Sequence, residues 1–306
     1  MERYSPAHGV LVTKTTGGTE KDVNEAVAVA RKAFDNRSWA GLSGQLRADV
    51  LLKAANLIRD RAEELAVLET LETGKPITQS RGEIQASAGI YEYAAGAARM
   101  LHGDSFNNLG DNVFGLVTRE PIGVVGLITP WNFPFFILSE RLPFILASGC
   151  TVVAKPSDLT SATTLIMAEI LTQAGLPDGV FNVVTGAGSV VGEVLSHHPD
   201  IDMLSFTGST AVGKRVLAAS AGNFKKLSLE LATIWTQNLS HAMDAVRGIR
   251  AGRVWVNTTI SGGPELPAGG FKQSGIGRET GIYGVEEYTE IKATHIAFGP
   301  RTPWVS

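Results

Sequence analysis

Several residues in this sequence could do chemistry, and each sits where an apolar run gives way to a turn. Glu230 lies near the end of the apolar run Leu227–Leu231. A buried carboxylate is costly unless it is paired or functional, so function is the favoured reading there. Asn132, inside the run Thr129-Pro130-Trp131-Asn132-Phe133-Pro134, offers a side-chain amide donor. The plain alternative is a rigid Pro-bracketed loop that packs Trp131 and Phe133. Lys155 and Asp158 follow another apolar run. A carboxylate can accept from ribose hydroxyls, and a lysine can donate to them or to a phosphate. A surface turn in which Ser157 or Asp158 caps the next helix explains them equally well. Gly186, Gly188 and Gly192 space as G-x-G-x-x-x-G, one residue longer than the dinucleotide fingerprint. Gly208 and Ser209 open a helix whose first amides can hold a phosphate, although Ser209 or Thr207 would serve as an ordinary N-cap. His197 and His198 lack further ligands at metal spacing and read as a solvated loop. No Ser-His-Asp arrangement has local support.

These residues share a position because of the elements around them. Val113–Arg119 and Ile122–Thr129 read as strands, followed by a helix over Pro134–Ala147. Then come a strand at Thr151–Ala154, a helix at Ser161–Ala174, a strand at Phe181–Thr185 and a helix at Ser189–Leu195. A strand at Met203–Phe206, a helix at Thr210–Ser220 and a strand at Lys226–Leu231 complete the alternation. Apolar strands alternating with helices imply an α/β fold, a doubly wound parallel sheet covered on both faces. Ligands bind such sheets at the carboxyl ends of the strands, where the residues above lie. Ahead of this region, 19–35 reads as a helix with Thr19 and Asp22 as a capping box. Ser43 caps a long helix through Leu68, Gly74-Lys75-Pro76 stops it, and Arg81–Leu101 forms a third.

Composition narrows the function classes. The chain has 306 residues, 44% hydrophobic and 19% charged, with a formal net charge of −3. That excludes wholesale disorder and a strongly basic nucleic-acid binder. The 34 glycines show no repeat, which excludes collagen-like and linker readings. The single cysteine, Cys150, cannot form an internal disulfide. The apolar stretch Ile122–Cys150 is broken by Pro130, Asn132, Pro134, Glu140, Arg141 and Pro143, so it does not predict a membrane span. Met1–Val10 has no apolar signal core, and a cytoplasmic protein is the expectation.

Together the segments EPIGVVGLITPWNFP (Glu120–Pro134), GCTVVAKPSD (Gly149–Asp158), GLPDGVFNVVTGAG (Gly175–Gly188), FTGSTAVGK (Phe206–Lys214) and LSLEL (Leu227–Leu231) resemble the NAD(P)-dependent aldehyde dehydrogenase superfamily. GRVWVN (Gly252–Asn257) and GGFKQSGIGRE (Gly269–Glu279) extend the match. The resemblance implies a Rossmann-like cofactor domain over 1–112 and 121–231, and a remnant of a catalytic domain over 232–284. It implies oligomerisation strands at 113–120 and 285–299. It also implies a reaction in which a cysteine attacks an aldehyde, a hydride passes to the nicotinamide, and a glutamate activates water against the thioester. Glu230 matches that glutamate and Asn132 the oxyanion donor. The cofactor contacts fall on Thr129, Pro130, Trp131, Lys155, Ser157, Asp158, Gly188, Gly192, Phe206, Thr207, Gly208, Ser209 and Leu231, with no metal site. Asp158 stands where many members carry Glu, which leaves NAD versus NADP open.

One departure is large. Family members follow the glutamate with G-G-K and a long segment carrying the nucleophile cysteine. Here Glu230-Leu231 runs directly into Ala232-Thr233-Ile234-Trp235-Thr236, which resembles a much later region. Cys150 begins a strand, away from the ligand edge, and is expected to behave as a small hydrophobe. The expectation is weak NAD or NADP binding and negligible aldehyde oxidation. The competing readings are an enzyme completed by another chain, a catalytically dead nucleotide-binding or subunit-interacting remnant, and the product of a gene fragment. The strands matching Val113–Glu120 and Tyr288–Ala297 are implied to pair between subunits, so a homo-oligomer is also expected.

Overall fold

The computed structural model describes residues 1–208 and, beyond them, 212–213, 215–216, 232–234, 238, 243–244, 254–257, 263–269 and 277–298. The chain begins with an antiparallel hairpin, β1 (Glu2–Tyr4) and β2 (Leu11–Lys14). Helix α1 (Glu20–Asp35) follows, with the Thr19 backbone N–H donating to Asp22 Oδ2 at 2.7 Å as the capping box predicts. Its buried stripe is Val23, Val27, Ala30 and Ala33, one face at helical spacing.

The expected long helix from Ser43 is two helices, α2 (Gly44–Asp60) and α3 (Ala62–Thr73), because the backbone leaves helical geometry at Arg61. Gly74 ends α3 in the left-handed region at φ 79°. Helix α4 (Ile77–Met100) then starts at Pro76, one turn earlier than the expected Arg81. Strands β3 (Asp104–Phe106), β4 (Val113–Pro121) and β5 (Val124–Ile128) come next. The expected helix over Pro134–Ala147 is also two, α5 (Pro134–Ser139) and α6 (Leu142–Ser148). Pro143 explains the break, since it cannot donate and its ring opposes the carbonyl of Ser139.

The alternation continues through β6 (Thr151–Lys155), α7 (Ala162–Ala174) and β7 (Phe181–Val183). A π-helical turn at Gly188–Gly192 leads into α8 (Glu193–His197), where one helix from Ser189 is expected. Strand β8 (Met203–Phe206) follows. Beyond it lie β9 (Ala232–Ile234), β10 (Val254–Val256), α9 (Gly281–Glu287) and β11 (Thr289–Ala297). The expected strand Lys226–Leu231 and most of the expected helix at Thr210–Ser220 lie outside the described residues.

The central sheet has the order β7-β6-β5-β8, all parallel. The chain winds outward from β5 through β6 to β7 and then crosses to β8 on the other side, which is the doubly wound arrangement. Side chains alternate between two cores, as a period of two requires. Val125, Leu127, Val152 and Ala154 pack with α2, α4, α6 and α7, whereas Val124, Val153, Leu204 and Phe206 pack with α1 and α8. Gly126 is glycine for a packing reason. A Cβ there would lie 2.6 Å from Leu204 Cδ1 in the second core.

Besides the β1–β2 hairpin, two further small sheets occur among the described residues. Strands β9 and β10 form a parallel pair. Strand β4 pairs antiparallel with both β3 and β11. The strands expected to pair between subunits thus pair with each other inside one chain, Thr289 opposite Pro121 through Ala297 opposite Val113. Arg119 of β4 also pairs with Glu286 of α9 at 3.1 Å. No helix among the described residues is long and apolar enough to cross a membrane.

Candidate functional site

The carboxyl ends of β5, β6 and β8 form one edge. Thr129 leaves β5 with its backbone N–H bonded to the Lys155 carbonyl at 3.2 Å, and Thr207 leaves β8 bonded to the Ile128 carbonyl at 3.1 Å. These ladder bonds bring the expected residues of three separate segments to one lip. Thr129 is buried and its hydroxyl has no hydrogen-bond partner among the described residues. Pro130 is half-buried, while Trp131 and Asn132 are exposed. The Trp131 carbonyl accepts from the Thr160 hydroxyl at 3.3 Å, which fixes the loop from behind.

Lys155 ends β6 and is 4% exposed. Burial pushes its ammonium below the ordinary lysine value, while Asp158 opposes that shift and Arg3 adds to it. Its side chain makes no ion pair or hydrogen bond among the described residues. Ser157 Oγ accepts from the Leu159 N–H at 3.2 Å, so Ser157 stabilises the turn and does not cap α7. Asp158 does not cap it either. Its Oδ2 accepts from Arg3 Nη2 of strand β1 at 3.1 Å.

The glycine turn is only partly as the spacing suggests. Gly186, at φ 151°, is sterically required, since a Cβ would lie 2.6 Å from Val191 Cγ2 and 3.0 Å from the Gly18 nitrogen. Gly188 and Gly192 bound the π-helical turn, and a Cβ on either would meet open space. Phe206 is buried at the end of β8, and Gly208 is needed beside it, because a Cβ would lie 2.5 Å from the Phe206 ring. Ser209, Glu230 and Leu231 lie outside the described residues.

Several charged groups at this edge escape a sequence reading. Arg141, between α5 and α6, donates through Nη1 to the Ile137 carbonyl at 2.9 Å and through Nη2 to the Thr207 hydroxyl at 2.7 Å. Its Nε lies 2.7 Å from Glu279 Oε1, in an ion pair with both side chains almost wholly buried. Behind the Asn132 loop, Lys75 Nζ contacts Glu69 at 2.8 Å and Glu83 at 2.5 Å and sits 4.5 Å over the Phe133 ring. Burial pushes the Glu69 carboxyl up to about 8. A usable signal existed for this cluster, because Leu65, Ala66, Glu69 and Glu72 share one buried face of α3. For Arg141 the only signal was a charge inside an apolar run.

Cys150 is fully buried at the start of β6, the end opposite Lys155. Burial pushes its thiol up, and the thiol donates to the Tyr288 carbonyl at 3.4 Å while accepting from Ser148 Oγ at 3.3 Å. His197 Nδ1 lies 2.9 Å from the Glu193 carbonyl, and His198 accepts from the Asp200 N–H at 3.1 Å. No cluster that could ligate a metal occurs among the described residues.

The model of the aldehyde dehydrogenase family matches residues 1–233 and 231–294. This chain belongs to the aldehyde dehydrogenase family. The two matched stretches meet at 231–233, which places the junction beside Glu230. An aldehyde dehydrogenase family 2 member C4 of Arabidopsis thaliana is 43% identical over 233 residues, which is 76% of this chain and 46% of that protein. A betaine aldehyde dehydrogenase of Bacillus subtilis is 42% identical over 221 residues, 72% of this chain and 45% of that protein. The chain spans about half the length of the curated relatives it matches. Among solved structures, an NAD-dependent aldehyde dehydrogenase from Sinorhizobium meliloti aligns at TM-score 0.96 and 34% identity, covering 100% of this chain and 93% of that one. A betaine aldehyde dehydrogenase from Staphylococcus aureus in complex with NAD+ aligns at TM-score 0.95 and 22% identity and shows the shared fold.

Proposed function

We propose that this aldehyde dehydrogenase chain binds an NAD(P)-type dinucleotide weakly, through the adenosine half, and does not oxidise aldehydes by itself. The observation that carries this reading is the placement of Cys150. It is the one cysteine of the sequence, it is fully buried, and it lies at the opposite end of β6 from the ligand edge. A nucleophilic thiol must be exposed and easily ionised, and burial pushes this one the other way. Without a covalent nucleophile the step that the family reaction runs through is lost. An oxyanion donor such as Asn132 is worth about 10²–10³ in rate, but only on an intermediate that the nucleophile has formed. Glu230 would likewise have no thioester to hydrolyse.

The edge itself fits a dinucleotide. Among the described residues the buried Lys155 ammonium has no ion-pair partner and the buried Thr129 hydroxyl no hydrogen-bond partner, and a polar ligand would satisfy both. In this reading Lys155, Ser157 and Asp158 face the adenosine ribose, and Thr207, Gly208 and Ser209 face the pyrophosphate. Bound NAD(P) would supply a hydride acceptor. Trp131, Asn132 and Glu230 would surround it but have no reacting aldehyde adduct to serve. A cytoplasmic location and a homo-oligomer belong to the same proposal, the latter supported by the outer edge of β11, which no described strand covers.

The test is turnover of short-chain and aromatic aldehydes by the pure chain with NAD and with NADP. The expected result is no cofactor reduction above the protein-free rate. Turnover that Glu230→Gln abolishes would overturn the proposal.

A further inference from the structure

We infer that Arg3 makes the adenosine end of this edge a receptor for a 2′-phosphorylated ribose, so that the chain takes NADP in preference to NAD. The inference rests on the nucleotide-binding reading above and names the cofactor that reading leaves open.

A site that selects an unphosphorylated ribose keeps a free carboxylate to accept from the 2′-hydroxyl, and that carboxylate repels a phosphate. A nearby arginine does the opposite. Here the carboxylate is not free. Asp158 Oδ2 accepts from Arg3 Nη2 at 3.1 Å, and the pair is partly exposed, at 23% for Arg3 and 37% for Asp158. Among the described residues Arg3 Nε is buried without a hydrogen-bond partner, so the guanidinium keeps donor capacity beyond its Asp158 contact. Lys155 adds a second cation close enough to act on both. Arg3 thus pairs with the one carboxylate, and Lys155 lies within electrostatic reach of it.

A further carboxylate, Glu72, lies within electrostatic reach of Arg3. Its oxygens accept from Thr13 Oγ1 at 3.0 Å and from the Ala162 N–H at 3.1 Å, and burial pushes it up to about 7. Near neutral pH it is therefore only partly charged, and the balance at the lip stays positive. A phosphate monoester brings nearly two negative charges and three acceptor oxygens. A guanidinium fork matches that geometry better than an ammonium does.

Arg3 is also delivered by built structure. It pairs opposite Thr13 in the β1–β2 hairpin. The segment after the hairpin is tied to the end of β7, with Gly18 N donating to the Thr185 carbonyl at 2.8 Å and Thr185 Oγ1 donating to the Thr16 carbonyl at 2.7 Å. The guanidinium is thus held at the sheet edge from a segment about 150 residues away in sequence, a separation of 155 positions from Asp158.

Calorimetric titration of the full chain with 2′,5′-ADP and with 5′-ADP tests this without the nicotinamide or any turnover. The wild type is expected to bind 2′,5′-ADP about tenfold or more tightly than 5′-ADP, the scale of one charge-assisted contact. Arg3→Ala frees the Asp158 carboxylate and is expected to abolish or reverse the preference, with 5′-ADP binding no weaker than in the wild type, and Arg3→Lys to keep part of the preference, at melting temperatures close to wild type. Equal binding of the two probes by the wild type, or a preference that survives in Arg3→Ala, would overturn the role of Arg3. Binding of neither probe would overturn the nucleotide-binding reading itself.

Discussion

Two ion pairs stand at the carboxyl edge of the parallel sheet, and they differ in burial. Arg141 and Glu279 expose 1% and 2% of their side chains, whereas Arg3 and Asp158 expose 23% and 37%. Both pairs tie a distant segment to the lip of a strand. Arg141 joins the α5–α6 break and Thr207 after β8 to the segment before α9. Arg3 joins the first hairpin to the turn after β6. A wholly buried pair cannot change partners without leaving one charge stranded, so it serves to hold the C-terminal segment in place. A half-exposed pair can re-partner with a ligand at little cost. The same residue types therefore do two jobs, and burial decides which.

That contrast can be broken by mutation. Arg141→Ala should be the most damaging change, because it leaves Glu279 buried and uncompensated at a cost of about 3–5 kcal/mol. A urea midpoint for Arg141→Ala no lower than that of Arg3→Ala would erase the distinction. Glu72 should give the next effect, and it depends on pH. Its folded pKa of about 7 lies above the ordinary value of 4.5. Between those values the native state holds a proton that the unfolded chain releases, so stability falls as pH rises through that window. Glu72→Gln should flatten the decline, and an unchanged pH profile of the melting temperature would show that Glu72 is not the cause.

Arg3→Ala should cost less than about 1 kcal/mol in stability, as partly exposed pairs do, even as it changes nucleotide preference. Asn132→Ala should be the mildest. The side chain is exposed and makes no hydrogen bond among the described residues, so stability should stay within about 0.5 kcal/mol and 5′-ADP affinity should not move. A loss of affinity in Asn132→Ala would mean that the loop after β5 supports the adenosine end directly.

The parallel strands were legible because their runs are apolar on both faces, and the start of α1 because Thr19 and Asp22 sit at capping distance in sequence. Lys155, Asp158 and Thr207 could be placed at one edge once the strands were known. The breaks at Arg61 and at Pro143 were less legible, since the apolar periodicity runs through both. The two ion pairs were not legible at all. Arg3 and Asp158 are separated by 155 positions, and nothing in the run Glu2-Arg3-Tyr4 announces a partner. Arg141 showed only as a charge in an apolar stretch, and its meaning depends on Glu279 folding back across the junction at Glu230. The pairing of β4 with β11 inside the chain likewise follows from tertiary register and not from either strand's composition.

The central claim is that binding survives in this chain while the chemistry does not. Titrating the chain with NADP in the presence of an aldehyde, while following NADPH absorbance on the same sample, tests both halves at once. The account predicts a saturable binding heat with no NADPH formed, not even one equivalent per chain. A burst of NADPH, or no heat up to millimolar-scale dinucleotide concentrations, on the order of 1 mM and about −4 kcal/mol of binding, would contradict it.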